Sequence, residues 1–267
     1  MDFLNHFQYR RLKSQIKVFR NKVIKKIFLS KIANHKKIQS QKFFDLGINY
    51  LEAENLISSL SQIYPQIINK YSSEHQKLFA GLRKIKPKKI LEVGTHSGAS
   101  AFLLQKIFKH STIFTLDLPD TSSVFDAKRF GRPGRDKPHS HLNFIEERNR
   151  ILSNARIIFV QMNSFYLYLT KHRFDLIWLD GDHSFPAVAF DFMSCLKILN
   201  KDGIMICDDV IENNDVHKCL IFLKETNSLE FELIFKKTDD LSNRFIAICK
   251  KLDPKIKNIL VDTSISY

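Results

Sequence analysis

Between residues 89 and 210, short apolar runs alternate with longer amphipathic stretches. Each apolar run stops abruptly at a glycine or a polar residue. The runs lie in KILEVG (89–94), TIFTLDLP (112–119), ARIIFVQMNS (155–164), FDLIWLDGDH (174–183) and GIMICDDV (203–210). Their length and their content of Ile, Val, Leu and Phe predict strands. The stretches between them, Ala99–His110, Leu142–Ser153 and Pro186–Leu199, predict helices. Strands that alternate with helices make βαβ units, and strands apolar on both faces belong to a parallel sheet covered on both sides. The pattern changes near the end. FELIFKK (231–237) and RFIAICKK (244–251) flank the polar TDDLSN, which predicts an antiparallel hairpin closing the sheet.

The N-terminal part follows another rule. Leu12, Ile16, Phe19, Val23 and Ile27 recur at helical spacing, with Lys13, Lys17, Arg20, Lys22, Lys25 and Lys26 around them. Residues 50–83 also read as helical, with a break near Pro65. The expected organisation is a basic helical arm and helices over 1–74, then an α/β domain over 75–267.

Charge sharpens that division. The net charge is +14, yet residues 1–42 hold 12 Lys or Arg against one acid, Asp2; the other 225 residues hold 30 basic and 27 acidic side chains. A near-neutral body with a basic arm gives no reason to expect nucleic acid on the body. Three readings of the arm stay open. It packs on its own domain or on a second copy in a homo-oligomer, it makes peripheral contact with an anionic membrane, or it touches RNA. The four cysteines show no CxxC pair, which suits buried thiols in a reducing compartment. No apolar run approaches the ~20 residues that span a bilayer, so a cytoplasmic location is expected.

Ligands of open parallel sheets bind beyond the carboxyl ends of the strands. Here those ends supply Gly94, Asp117, Asn163 with Ser164, Asp180-Gly181-Asp182-His183, and Asp208-Asp209. In LEVGTHSGAS, Glu92 lies near a strand end, and Gly94 and Gly98 lie in the turn before a helix, where glycine lets backbone approach a ligand closely. The spacing is neither the dinucleotide G-x-G-x-x-G nor a phosphate loop. Asp117, 19 residues after Gly98, is placed to hold two ribose hydroxyls, so an adenosine-containing cofactor is expected. The long polar segment 119–141 lies where loops often cover a ligand. It contains Arg129, Arg132, Arg135, Lys137, His139 and His141.

ILEVGTHSGAS, FTLDLP, FDLIWLDGDHSFPAVAFD and GIMICDDV resemble class I S-adenosylmethionine-dependent methyltransferases, over roughly residues 75–251. More narrowly, LDGDH followed 28 residues later by DDV resembles the metal-dependent O-methyltransferase branch that includes catechol, macrolide-sugar and cephalosporin-hydroxylase-like enzymes. The resemblance implies a Rossmann-like seven-stranded sheet with an antiparallel C-terminal hairpin. It implies that Glu92, Gly94 and Gly98 frame the methionine part of S-adenosyl-L-methionine and that Asp117 holds the ribose. Asn163 and Ser164 stand where relatives often carry an acid that reads the adenine amine; Asn is a departure. Asp180, Asp208 and Asp209 fall on metal-ligand positions and His183 on that of a general base. Three clustered carboxylates repel one another, and a hard dication such as Mg2+ would relieve that. Adjacent Asp208 and Asp209 can reach one ion only if the strand turns there.

The expected activity is metal-dependent O-methylation of a small-molecule hydroxyl, with a sugar or glycan suggested by the family neighbourhood alone. Metal coordination would acidify the hydroxyl and His183 would take the proton. Two rivals remain: an RNA or protein methyltransferase served by the arm, and a non-catalytic, membrane-associated scaffold. The chain lacks the N/D-P-P-Y/F sequence used on base amino groups.

Overall fold

The computed structural model describes residues 38–69, 72–122, 141–153, 156–239 and 242–252. The chain divides into two compact units, Met1–Gly47 and Ile48–Tyr267. In the first, the described part is helical over 38–45. The periodic stripe at 12–27 lies outside the described residues, as do most of the residues given a membrane, partner or RNA role.

The second unit begins with helices α1 (Tyr50–Ile63) and α2 (Glu74–Gly81). Asn49 starts α1 by accepting a hydrogen bond from the Glu52 backbone N–H, as an N-cap should. Then come β1 (Lys89–Val93), α3 (Ala99–Ile107), β2 (Thr112–Asp117), α4 (His141–Leu152), β3 (Ile157–Gln161), β4 (Phe174–Leu179), α5 (Ala187–Ile198), β5 (Leu199–Ile211), α6 (Asp215–Glu225), β6 (Leu229–Asp239) and β7 (Ser242–Lys251). A short 3-10 helix, Ser164–Leu169, follows β3.

One seven-stranded sheet runs β3-β2-β1-β4-β5-β7-β6. The first five strands in that order pair parallel, and β7 pairs antiparallel with both β5 and β6. The order reverses between β1 and β4, the switch point at which a doubly wound sheet opens a crevice. The expected α/β architecture, with five parallel strands and a terminal hairpin, is what the chain adopts. Ile90, Leu91, Leu176, Ile177, Trp178, Met205 and Ile206 are all buried, as central strands covered on both faces require.

Two features lie outside the sequence reading. A helix, α6, starts five residues after Val210. Asn214 caps it by accepting the His217 N–H, and Val216, Leu220 and Leu223 bury one face. The ladders also carry three register shifts: between Phe174 and Leu176 where β4 pairs with β5, in β5 between Cys207 and Val210, and in β6 between Phe235 and Lys237. The last two shape the site.

Candidate active site

The carboxyl ends of β1, β2, β3 and β4 border a cleft of about 440 Å3 lined by Gly94, His96, Asp117, Met162, Asn163, Ser164, Asp180, Asp182 and Asp191, among others. The turn after β1 is fixed to its neighbours. Gly94 and Thr95 donate backbone hydrogen bonds to the Leu116 carbonyl, and the Asp180 N–H donates to the Val93 carbonyl. Gly94 has φ of +98°, and a Cβ there would lie 2.0 Å from the Asp180 carbonyl oxygen. Only glycine allows the β1 turn to run this close to the end of β4.

Asp117 occupies the expected place at the tip of β2. Its Oδ2 accepts the His96 N–H and its Oδ1 the Leu118 N–H, both at 2.9 Å, so the carboxylate is oriented by backbone before any ligand arrives. Asn163 and Ser164 also line the cleft. The Asn163 side chain accepts the Phe165 N–H and so caps the 3-10 helix.

Glu92 and Gly98 do not line the cleft. Glu92 is fully buried beneath the turn, where its carboxylate accepts from the Thr115 hydroxyl on β2. It supports the β1–β2 pair from below. Gly98, with φ of +78°, stands at the N-cap of α3, and a Cβ there would strike Leu152 of α4 at 2.7 Å. The left-handed backbone and the packing against Leu152 both call for glycine there.

Asp180, Asp208, Asp209 and His183 do come together, by the device the sequence required. Asp209 adopts φ of +52° inside the β5 bulge, so the chain turns and two consecutive carboxylates serve one side. The cations they meet were not foreseen. The Lys236 ammonium lies 2.5 Å from Asp208 Oδ2 and 3.1 Å from Asp209 Oδ1, and the Arg244 guanidinium lies 3.0 Å from Asp209 Oδ2. His183 places Nε2 3.4 Å from Asp180 Oδ1 and Nδ1 3.7 Å from Asp209 Oδ2.

Lys236 belongs to the β6 bulge and Arg244 to β7, so the terminal hairpin brings both into the cluster. The signal in the sequence was weak: each is one of many basic residues, and only the unforeseen bulge in β6 turns Lys236 toward the acids. Asp191 of α5 was also missed. Its side chain is buried and lines the cleft near Ser164.

These contacts shift the acid-base behaviour of the site. Burial would raise Asp209, but Lys236, His183 and Arg244 outweigh it and hold the carboxyl below its usual range. Burial would lower Lys236; Asp208 and Asp209 reverse that and hold it charged. Burial pushes Asp180 up, with His183 opposing and Asp208 adding to the rise. Burial would likewise depress His183, and the three surrounding carboxylates lift it instead. Burial raises Asp191 to about 6.

The donor set was expected to hold a dication, and the side chains present do not fit one. A hard metal needs the oxygen lone pairs at ~2.0–2.6 Å. Here an ammonium and a guanidinium already take them from Asp208 and Asp209. Among the described residues no group of three or more His, Cys, Asp or Glu is arranged to hold a metal ion. His183 lies between the carboxylates of Asp180 and Asp209.

A mostly parallel seven-stranded sheet reversed at β1/β4 and closed by an antiparallel β7 is the Rossmann-like fold of methyltransferases. Residues 91–210 match the family model described as a methyltransferase domain. Among solved structures, the chain is similar to the O-methyltransferase TomG from Streptomyces achromogenes in complex with SAM. That match has a TM-score of 0.51 and 13% identity, covering 81% of this chain and 96% of that one. It is also similar to an O-methyltransferase from Bacillus cereus in complex with SAH (TM-score 0.49, 15% identity, 80% and 97% covered). The SAH-bound methyltransferase PaMTH1 of Podospora anserina gives TM-score 0.47 and 18% identity over 67% and 77%. No curated protein matches the chain.

Proposed function

We propose that this chain transfers a methyl group from S-adenosylmethionine to a hydroxyl of a small molecule. The observation that carries the reading is the cleft itself. Asp117, fixed by two backbone N–H groups, and Gly94, held open against Asp180, face one concavity at the switch point of the sheet. The donor set suits an adenosylated ligand. Asp117 would hold the ribose, the backbone at Gly94 would admit the amino-acid part, and Asn163, Ser164 and Met162 border the side toward the base.

When bound, S-adenosylmethionine supplies a sulfonium methyl group for transfer to an acceptor oxygen, with loss of that oxygen's proton. The chain's own residues handle the proton and the alignment. Asp180 lines the cleft at the end of β4, and its carboxylate would accept the proton. His183 stands behind it and stabilises whichever member of the pair holds the proton. Fixing both reactants in one cleft would supply much of the acceleration. The TomG structure, described as an O-methyltransferase, supports oxygen as the acceptor atom.

The test is transfer of a labelled methyl group from S-adenosylmethionine to a panel of phenols, catechols, sugars, RNA and protein. Label in a base-stable ether of a phenol or sugar supports the reading. Label confined to RNA or protein would replace it with the macromolecular rival.

A further inference from the structure

We infer that Lys236 and Arg244 are the resident counter-cations of the carboxylates at the ends of β4 and β5, and that methyl transfer here needs no divalent metal. This rests on the methyltransferase reading of the cleft and assigns its charge balance. Position, burial and charge carry it.

Position comes first. Lys236 Nζ bridges Asp208 and Asp209, one oxygen each, at 2.5 and 3.1 Å. That is the point between two carboxylates where a shared cation belongs. The second observation is burial. The Lys236 side chain is 9% exposed and that of Asp208 6%, so this pair is not a solvated surface contact. A buried ammonium persists only when paired, and these acids provide the pairing. The third is charge. Three carboxylates face two permanent cations and one imidazole within 4 Å. A dication entering this group would meet an ammonium and a guanidinium at contact range. It would have to expel Lys236 before it could bind Asp208.

The backbone is shaped for the lysine. The β6 bulge at Lys236 and the β5 bulge at Asp208-Asp209 turn the three side chains toward one another, and the Ser72 hydroxyl donates to the Lys236 carbonyl at the bulge. Lys236 and Arg244 are thus positioning residues. They hold Asp208 and Asp209, and Asp209 in turn neighbours His183, which contacts Asp180 in the cleft.

The experiment titrates Mn2+ into the full chain after EDTA treatment and dialysis, following the free-ion paramagnetic resonance signal. S-adenosylhomocysteine binding is measured calorimetrically on the same samples. The wild-type chain should bind Mn2+ no more tightly than the millimolar range and should bind S-adenosylhomocysteine equally well with and without EDTA. Lys236→Met removes the cation but keeps much of the stem, and should gain at least tenfold in Mn2+ affinity. Lys236→Arg restores the charge and should return to the wild-type value. Should Lys236→Met not fold, Arg244→Gln takes its place with the same expected direction, and the wild-type titration needs no variant. One Mn2+ bound by the wild type at micromolar concentration overturns the inference, as does transfer activity that EDTA abolishes and Mg2+ restores. Absence of S-adenosylhomocysteine binding would instead defeat the methyltransferase reading, while the Mn2+ titration still decides the charge assignment.

Discussion

His75 makes an unusual partner for the sheet, and its burial has a measurable cost in acid. The residue lies on α2, 4% exposed, with its ring stacked on Trp178 of β4 at 5.6 Å and edge-on to Phe79 at 5.7 Å. Its Nδ1 is buried without a hydrogen-bond partner. Burial is the main reason its pKa falls from 6.5 to about 4, with Lys236 adding to the depression and Asp208 opposing it. The unfolded chain therefore holds the extra proton between those two values. Stability is complete above pH 6.5 and drains away as the pH falls toward 4. The full loss is about 3 kcal/mol, and about 2 kcal/mol of it has gone by pH 5. His75→Phe keeps an aromatic ring against Trp178 and cannot titrate. Urea unfolding of both proteins at pH 7.5 and pH 5 isolates the term, because the remaining titrating groups are common to the pair. The wild type should lose about 2 kcal/mol more than His75→Phe over that interval. Parallel losses would refute the claim that the buried imidazole is neutral in the fold.

The two glycines after β1 should respond differently to alanine. Gly94→Ala places a Cβ against the Asp180 backbone and should weaken S-adenosylhomocysteine at least tenfold by calorimetry. Gly98→Ala meets the Leu152 and Ile151 side chains and strains a left-handed backbone, and should lower stability by about 1–2 kcal/mol, with cofactor affinity retained. Arg148 is fully buried, clamps Asp120 at 2.6 and 2.8 Å and covers the Phe159 ring, so Arg148→Met should cost about 3–5 kcal/mol in chemical denaturation.

The sheet was readable because its signal is local. Apolar runs such as KILEV and FDLIWL have strand length, end in glycine or acid, and alternate with amphipathic helices. The rim was readable for the same reason: strand ends of a parallel sheet point to one crevice, so Asp117, Asp180 and Asp208 could be gathered without coordinates. What escaped depends on tertiary register. No local pattern marks a bulge at Lys236, and without it this lysine of FELIFKK cannot be told from the next one in the sequence. The role of Gly98 turned on Leu152, more than 50 residues away, and that of Glu92 on Thr115 of the neighbouring strand. α6 was missed because DDVIENND, rich in polar residues, masks the cap at Asn214 and the stripe of Val216, Leu220 and Leu223 behind it.

The central claim is that the cleft at the β1/β4 switch point is an adenosyl-cofactor site organised by Asp117. Calorimetric titration of S-adenosylhomocysteine into the wild-type chain and into Asp117→Ala tests it most directly. One equivalent bound by the wild type, with affinity at least tenfold weaker in the variant, is the predicted result. Absence of binding to the wild type, or equal affinity in both proteins, would contradict it.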